Sequence, residues 1–171
     1  MDNIILIGMP GAGKSTVGVL LAKVLGMNFI DSDLLIQKQE RRLLKDIIEE
    51  EGLEGYLKIE NQVNSELCTE HSVIATGGSV IYCPEAMEHL GSLGIIIYIR
   101  LKYATIDDRL GNIRQRGVVL KEGQNLRSLY EERCPLYEKY AHLIIDGEGL
   151  SMEEVLEEMI TLIKQKQKGS Y

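Results

Sequence analysis

Residues 8–15 combine glycines, a lysine and a serine at the spacing of a phosphate-binding loop. They read Gly-Met-Pro-Gly-Ala-Gly-Lys-Ser, which fits the pattern G-x-x-x-x-G-K-S. Glycines allow the tight turns that point successive backbone N–H groups at phosphate oxygens. In such a loop Lys14 can reach the β- and γ-phosphates, and the Ser15 hydroxyl can bind Mg²⁺. The motif predicts binding of a nucleoside triphosphate with magnesium, through Gly11, Ala12, Gly13, Lys14, Ser15 and Thr16.

Two carboxylates, Asp31 and Asp33, follow an apolar run at Phe29-Ile30 that has the character of a strand. Ligands of parallel α/β sheets bind outside the carboxyl ends of the strands. Side chains two positions apart at a strand end point roughly the same way. One carboxylate could hold Mg²⁺ through water while the other accepts a proton, or a hydrogen bond, from a substrate hydroxyl. Asp-Ser-Asp is also typical of a helix N-cap, and the two interpretations are compatible.

Two further stretches offer groups for a second ligand. The glycines of Thr76-Gly77-Gly78-Ser79 follow another strand-like run and would let a ligand approach free backbone N–H groups. Arg133 carries a forked guanidinium that suits a carboxylate. It could equally be a surface residue paired with Glu131 or Glu132, and the sequence leaves both interpretations open.

A basic, glycine-containing segment at about 111–124 predicts a mobile lid. Five basic residues and one acidic residue lie from position 109 to position 127, in a chain of net charge −7. A connection of this length with little helical periodicity is usually functional. Glycines for hinging and arginines for charge indicate closure over bound phosphates.

The elements that must position these groups alternate along the chain. Apolar runs of strand length lie at 3–7, 29–30, 73–75, 95–99 and 143–145, and helical patterns fill the gaps. The runs are continuous rather than alternating, which is typical of parallel strands covered on both faces. The sequence therefore predicts an α/β fold of three layers, with a parallel sheet between helices.

Several helix ends are also predicted. Gly26 suits the C-terminal end of the first helix. Pro84 suits the first turn of another helix, and Gly91 suits its end. Ser151 and Glu154 have the spacing of a capping box at the start of the last helix.

Length and composition restrict the class of protein. A chain of 171 residues predicts one domain, 1–171, and its net charge of −7 argues against nucleic acid as a partner. No apolar run approaches the roughly 20 residues that span a membrane, and no signal peptide precedes the first strand, so we expect a cytoplasmic protein. Three separated cysteines predict reduced, partly buried thiols. We expect a monomer.

The motifs, in this order, resemble the shikimate kinase family, within the nucleoside-monophosphate-kinase-like group of phosphate-loop proteins. The resemblance covers nearly the whole chain and rests on 8–18, 29–33, 76–79, the basic lid, and Arg133-x-Pro-x-Tyr137 followed by Ala141. The phosphate loop alone is shared by many families, but the complete set is far more specific. The resemblance implies a P-loop NTPase fold with a five-stranded parallel sheet of strand order 2-3-1-4-5.

On the nucleotide side, the resemblance implies roles for five residues. Lys14 would act on the phosphates, and Arg116 would be the lid arginine that faces the transferring phosphate. Arg109 would lie along the adenine. Asp31 would support Mg²⁺ through water, beside Ser15.

On the acceptor side, the resemblance implies that Asp33 holds the ring hydroxyls and is nearest the attacking one. Gly77 and Gly78 would donate backbone N–H groups to the acceptor, with Ser79 beside them, and Arg133 would bind its carboxylate. Catalysis would thus rest on Lys14, Asp33 and Arg116. The acceptor-binding region would extend over about 32–61.

The chain departs from the family pattern at three places. Leu57 occupies the position of an arginine that clamps the acceptor carboxylate, and Lys58 is about 100° away around a helix. Ser79 replaces a glycine, and the lid sequence Arg-Pro-Leu-Leu is changed at 116–120. Loss of one charge-assisted contact costs about 1.5–3 kcal/mol, or roughly ten- to a hundredfold in affinity.

The resemblance implies an ATP-dependent phosphotransferase that converts shikimate to 3-phosphoshikimate, a step of aromatic amino-acid biosynthesis. Leu57 and Ser79 leave open a kinase of another sugar acid or hydroxy acid. A nucleoside-monophosphate kinase would have only Arg41 and Arg42 to grip a second phosphate. A regulatory module that binds ATP without an acceptor would need neither the acidic pair nor the basic lid.

Overall fold

Five parallel strands form a sheet of order β2-β3-β1-β4-β5, which is the predicted order. The computed structural model describes residues 3–111, 118 and 120–168. Arg116 and most of the predicted lid lie outside the described residues. The strands are β1 (Asn3–Ile7), β2 (Asn28–Asp31), β3 (Ser72–Ala75), β4 (Gly94–Arg100) and β5 (Leu143–Asp146).

Helices cover both faces of this sheet, so the predicted three-layer α/β fold is confirmed. They are α1 (Lys14–Leu25), α2 (Ser32–Glu40), α3 (Leu44–Ser65), a 3-10 helix (Val80–Tyr82), α4 (Pro84–Leu93), α5 (Tyr103–Leu110), α6 (Leu126–Tyr140) and α7 (Met152–Lys168). All five residues of β1 are buried, as the continuous apolar run predicted. None of these helices combines the length and the apolar character that a membrane span requires.

The register of the central strands brings their carboxyl ends to one edge of the sheet. Leu6 of β1 and Asp31 of β2 both lie opposite Ala75 of β3. The three segments that follow these strands therefore begin next to one another at this edge of the sheet. They are the phosphate loop, the Asp31–Asp33 turn and the Thr76–Ser79 turn.

A second, smaller apolar cluster is formed by side chains of α2 and α3. Its buried members are Ile36, Ile47, Tyr56 and Val63. Helix α3 is kinked at Gly52, where φ is 70°. The predicted acceptor-binding region, 32–61, thus has packing of its own beside the main core.

Most of the predicted helix ends are confirmed. Gly26 ends α1 with φ 68°, and its N–H donates to the Ala22 carbonyl. Pro84 begins α4. In the capping box, the Ser151 N–H donates to Glu154 at 2.7 Å, and the Glu154 N–H donates to Ser151 Oγ at 3.2 Å.

The predicted end of α4 at Gly91 is wrong, because the helix continues to Leu93. The partly buried Leu93 still packs against the main core, and the chain then enters β4 directly at Gly94. A Cβ on Gly94 would stand 1.9 Å from the Asn3 carbonyl oxygen, so the pairing of β1 with β4 leaves room only for glycine.

The three cysteines differ in exposure. Cys83 is buried, Cys134 is half-buried and Cys68 is exposed, and all three are free thiols. The prediction of reduced thiols is confirmed, but partial burial is wrong for Cys68. It lies between α3 and β3, at the amino end of that strand.

Helix α1 packs so closely on the sheet that alanine at position 18 should destabilise the fold. A Cβ on Gly18 would stand 2.8 Å from Cε2 of Phe29 and 3.2 Å from Cδ1 of Leu6. We expect Gly18→Ala to lower the free energy of unfolding by about 1–3 kcal/mol. Urea denaturation followed by circular dichroism measures this change.

Gly91→Ala is the matched control, since its Cβ would meet Ile96 at an ordinary 3.6 Å inside a helix. That variant should gain about 0.5–1 kcal/mol, because alanine restricts the unfolded chain more than glycine. Equal stability changes in the two variants would contradict the close packing of α1.

Candidate active site

The phosphate loop connects β1 to α1 through glycines with positive φ. The φ angles of Gly8, Gly11 and Gly13 are 149°, 79° and 96°. Gly13 is the N-cap of α1 and offers no side-chain oxygen to the first N–H groups of that helix. N–H groups at the amino end of a helix, together with the positive end of the helix dipole, are suited to binding an anion.

The side chain of Lys14 folds back onto the backbone of the phosphate loop. Its Nζ donates to the carbonyl oxygens of Gly8 at 2.8 Å and Met9 at 2.9 Å. Burial lowers the pKa of Lys14 to about 8, although the negative charge of Asp33 opposes this shift. An anion in the loop would remove the unfavourable effect of burial on the ammonium group.

Asp31 both caps a helix and contacts the loop. Its Oδ1 accepts the N–H groups of Asp33 at 3.0 Å and Leu34 at 3.2 Å, which caps α2. Its Oδ2 accepts the Ser15 hydroxyl at 2.7 Å. The capping interpretation of the sequence is confirmed, and the predicted metal ligands Ser15 and Asp31 are in direct contact.

The expectation that both carboxylates project from a strand end is wrong for Asp33. The chain turns into α2 at Ser32, so Asp33 lies in the first helical turn. There its Oδ1 faces Gly77, and burial together with the negative charge of Asp31 raises its pKa to about 6.

The Thr76–Ser79 turn contacts the groups opposite it, but not as the sequence predicted. The Gly77 N–H donates to Ser32 Oγ at 3.3 Å, so this donor is already used within the protein. Gly78 is held through its carbonyl oxygen, which accepts the Tyr137 hydroxyl at 2.5 Å. The Ser79 hydroxyl donates to Glu60 Oε2 at 2.6 Å.

Arg133 is buried in the cleft, which excludes the surface interpretation. Only 1% of the residue is exposed, and its guanidinium lies 5.4 Å from the centre of the Tyr82 ring. Glu131 pairs instead with Arg127 at 3.7 Å, and Glu132 accepts the Tyr82 hydroxyl.

A cavity of about 290 Å³ joins these groups. The predicted site residues that line it are Gly11, Gly13, Lys14, Ser15, Thr16, Asp33, Gly77, Gly78, Ser79 and Arg133. Arg109 borders the loop and donates to the Gly11 carbonyl oxygen at 3.2 Å. Ala12 is packed in the core, and its N–H donates to Met9 within the loop.

Position 57, where the sequence departs from the family, does not line this cavity in the described part of the chain. Tyr56 does so, whereas Leu57 packs against the main core and the second apolar cluster. The residues of α3 that line the cavity are Leu44 and Tyr56, and neither carries a positive charge.

Glu60 lies beside this site, and sequence reasoning assigned no role to it. It is completely buried, and burial raises its pKa to about 8. The signal was a carboxylate on the apolar face of α3, one turn after Tyr56 and one turn before Val63. Its contact with Ser79 could not be seen, because the two residues lie on different elements.

Comparison with known proteins gives one consistent result. The family model described as shikimate kinase matches residues 10–164. The shikimate kinase of Thiobacillus denitrificans is 38% identical over 170 residues, covering 95% of this chain and 92% of that protein. The shikimate kinase of Thermodesulfovibrio yellowstonii is 37% identical over 163 residues, covering 94% of each chain.

Solved structures agree. Shikimate kinase from Acinetobacter baumannii, in complex with shikimate, superposes with a TM-score of 0.89 at 33% identity, covering 97% of this chain and 94% of that one. Shikimate kinase from Aquifex aeolicus gives a TM-score of 0.83 at 31% identity, covering 98% and 99%.

A side chain at position 78 should disturb the cleft. A Cβ on Gly78 would stand 2.8 Å from Pro10 Cδ and 2.9 Å from Arg133 Nη1. Gly78→Ala should therefore lower the free energy of unfolding by about 1–3 kcal/mol, measured in urea. Adding Pro10→Ala should restore part of that loss, and strictly additive effects of the two substitutions would contradict the contact.

Proposed function

This chain belongs to the shikimate kinase family, and from that membership we propose that it transfers the γ-phosphate of ATP to a hydroxyl group of shikimate. One observation carries the proposal. One cavity connects the phosphate loop with a half-buried carboxylate, Asp33, and a buried guanidinium, Arg133. A nucleotide and a carboxylated alcohol could thus meet within it.

ATP would bind through the loop and the amino end of α1. The N–H groups of residues 13–16 and the Lys14 ammonium would hold the phosphates, since these residues line the cavity and Lys14 Nζ lies against the loop carbonyls of Gly8 and Met9. Arg109 is exposed and donates to the Gly11 carbonyl oxygen, and it would lie along the adenine. Arg116 remains the predicted cation from the lid.

The contact between Ser15 and Asp31 fits Mg²⁺. It joins a hydroxyl and a carboxylate at 2.7 Å, and hard oxygen donors are the ligands that this ion takes, usually with several waters retained. Ser15 would bind the ion directly and Asp31 through water. Bound there, magnesium would neutralise charge on the phosphates.

The acceptor would lie between Asp33 and Arg133. With its pKa raised only to about 6, Asp33 is ionised at neutral pH and can accept the hydrogen of the attacking hydroxyl. Arg133 would pair with the acceptor carboxylate, an interaction strengthened by the burial of the guanidinium. Phosphoryl transfer depends mainly on such positioning and on charge neutralisation.

A different small carboxylated polyol is the alternative acceptor. It is favoured by the packing of Leu57 away from the cavity, and by the Ser79 hydroxyl, which is already bonded to Glu60. Among the described residues, Arg133 is then the cation of the acceptor end. The cytoplasmic location and the monomeric state stay predictions.

The decisive experiment measures ADP release from Mg²⁺-ATP with and without shikimate over a wide range of concentrations. Saturable, shikimate-dependent release supports the proposal. ATP binding combined with transfer to another hydroxy acid, and not to shikimate, would favour the alternative. ATP hydrolysis that no alcohol changes would contradict both.

Removal of either key charge should abolish transfer without unfolding the protein. Lys14→Ala removes the cation of the loop, and Asp33→Asn keeps the shape of the side chain while removing its charge. We expect each variant to lower turnover by about a hundredfold or more. Lys58→Ala is the control, since its side chain is 76% exposed and pairs with Glu54 at the surface. Near-native turnover of either site variant would contradict the assigned roles.

A further inference from the structure

Two buried carboxyl oxygens lie beside Gly77, and neither receives a hydrogen bond from the described residues. They are Oδ1 of Asp33 and Oε1 of Glu60. The point where a Cβ on Gly77 would stand is 2.6 Å from the first and 2.7 Å from the second. Both oxygens are closed to solvent. Two negative charges in such a space would repel each other with little screening.

The other oxygen atoms of these two carboxyl groups have different surroundings. Glu60 Oε2 accepts the Ser79 hydroxyl at 2.6 Å, which orients the group and leaves Oε1 facing the Gly77 turn. Asp33 lines the cavity, so its remaining oxygen can meet a ligand. A proton on Glu60 Oε1 would remove one charge and supply the missing donor at the same time.

We propose that Glu60 is protonated at neutral pH and donates its proton from Oε1 to Oδ1 of Asp33. Asp33 is then a carboxylate with one oxygen fixed inside the protein and the other directed at the acceptor hydroxyl. Glu60 acts through Asp33, as a positioning residue. The effect on turnover rests on the proposed function, whereas the hydrogen bond between the two side chains does not.

Burial is the largest influence on the pKa of Glu60. Burial and the charge of Asp33 raise the pKa of Glu60. The Ser79 hydrogen bond and the charges of Arg133 and Lys14 lower it, and the net result is a pKa raised to about 8. The groups that face it are Lys14 of α1, Asp33 of α2, Tyr56 of α3, Ser79 and Cys83 flanking the 3-10 helix, and Arg133 of α6.

Infrared spectroscopy tests the protonation state directly. At pH 7 the native protein should show the C=O band of a protonated carboxyl group, which disappears in Glu60→Gln and persists in Glu54→Gln. Glu54 is the matched control on α3, since its side chain is 87% exposed. The same spectrum in native protein and Glu60→Gln overturns the proposal. So does a band that persists in Glu60→Gln and disappears in Asp33→Asn, because the proton would then be on Asp33.

The pH dependence of stability provides a second measurement. The pKa of Glu60 rises from 4.5 to about 8 on folding, so its contribution to the free energy of unfolding is complete below pH 4.5 and is lost as the pH rises through 8. Glutamine does not titrate. The urea midpoint of Glu60→Gln should therefore increase relative to that of the native protein between pH 5 and pH 8. A difference independent of pH in this range overturns the proposal.

Turnover at saturating ATP and shikimate tests the positioning role. Ionisation of Glu60 would break its bond to Asp33, so native turnover should fall several-fold more between pH 7 and pH 9 than that of Glu60→Gln. Lys14 titrates near pH 8 in the free protein, and the charge of Glu60 raises that pKa, so Lys14 would lose its charge at lower pH in Glu60→Gln, which opposes the expected difference rather than mimicking it. Equal falls would overturn the positioning role. No transfer to shikimate in either protein, with the infrared band present, would count against the proposed function and leave the hydrogen bond standing.

Discussion

Acidic and basic side chains are buried together in one cleft. The site depends on the attraction between their opposite charges, which offsets the free-energy cost of burying each one. Lys14, Asp33, Glu60 and Arg133 come from four different helices and are all largely removed from water. An isolated charge buried in this way would be strongly destabilising, whereas opposite charges at short range offset much of that effect. The parallel sheet makes the arrangement possible, because its register brings the carboxyl ends of β1, β2 and β3 to one edge.

Local features could be predicted from the sequence because their geometry is set by neighbouring residues. The phosphate loop, the cap at Gly26 and the Ser151–Glu154 box depend on a few consecutive positions, and all have the predicted form. The strand order and the family followed from a set of motifs in a specific sequence, rather than from any one of them. The helix-capping interpretation of Asp31 is confirmed by its Oδ1, whereas its Oδ2 accepts the Ser15 hydroxyl and its role toward a metal stays a prediction.

Features that depend on contacts between distant segments could not be predicted. The end of α4 is set by the approach of Gly94 to Asn3, and no local pattern distinguishes Gly94 from Gly91. The partner of Glu60 lies 19 positions away, and the orientation of Leu57 depends on two apolar clusters. The Gly77 N–H was expected to face a ligand, but Ser32, on another element, accepts it.

The three thiols differ in accessibility and in reactivity, and the exposed thiol lies away from the binding cleft. Cys68 is exposed at the amino end of β3, whereas the cleft lies at the carboxyl end of the same strand. Burial raises the pKa of Cys83 to about 12 and also raises that of Cys134, which keeps both thiols in their unreactive form. A maleimide dye or a surface tether would therefore attach at Cys68. The unmodified chain can thus be immobilised in one orientation, with its binding cleft directed into solution.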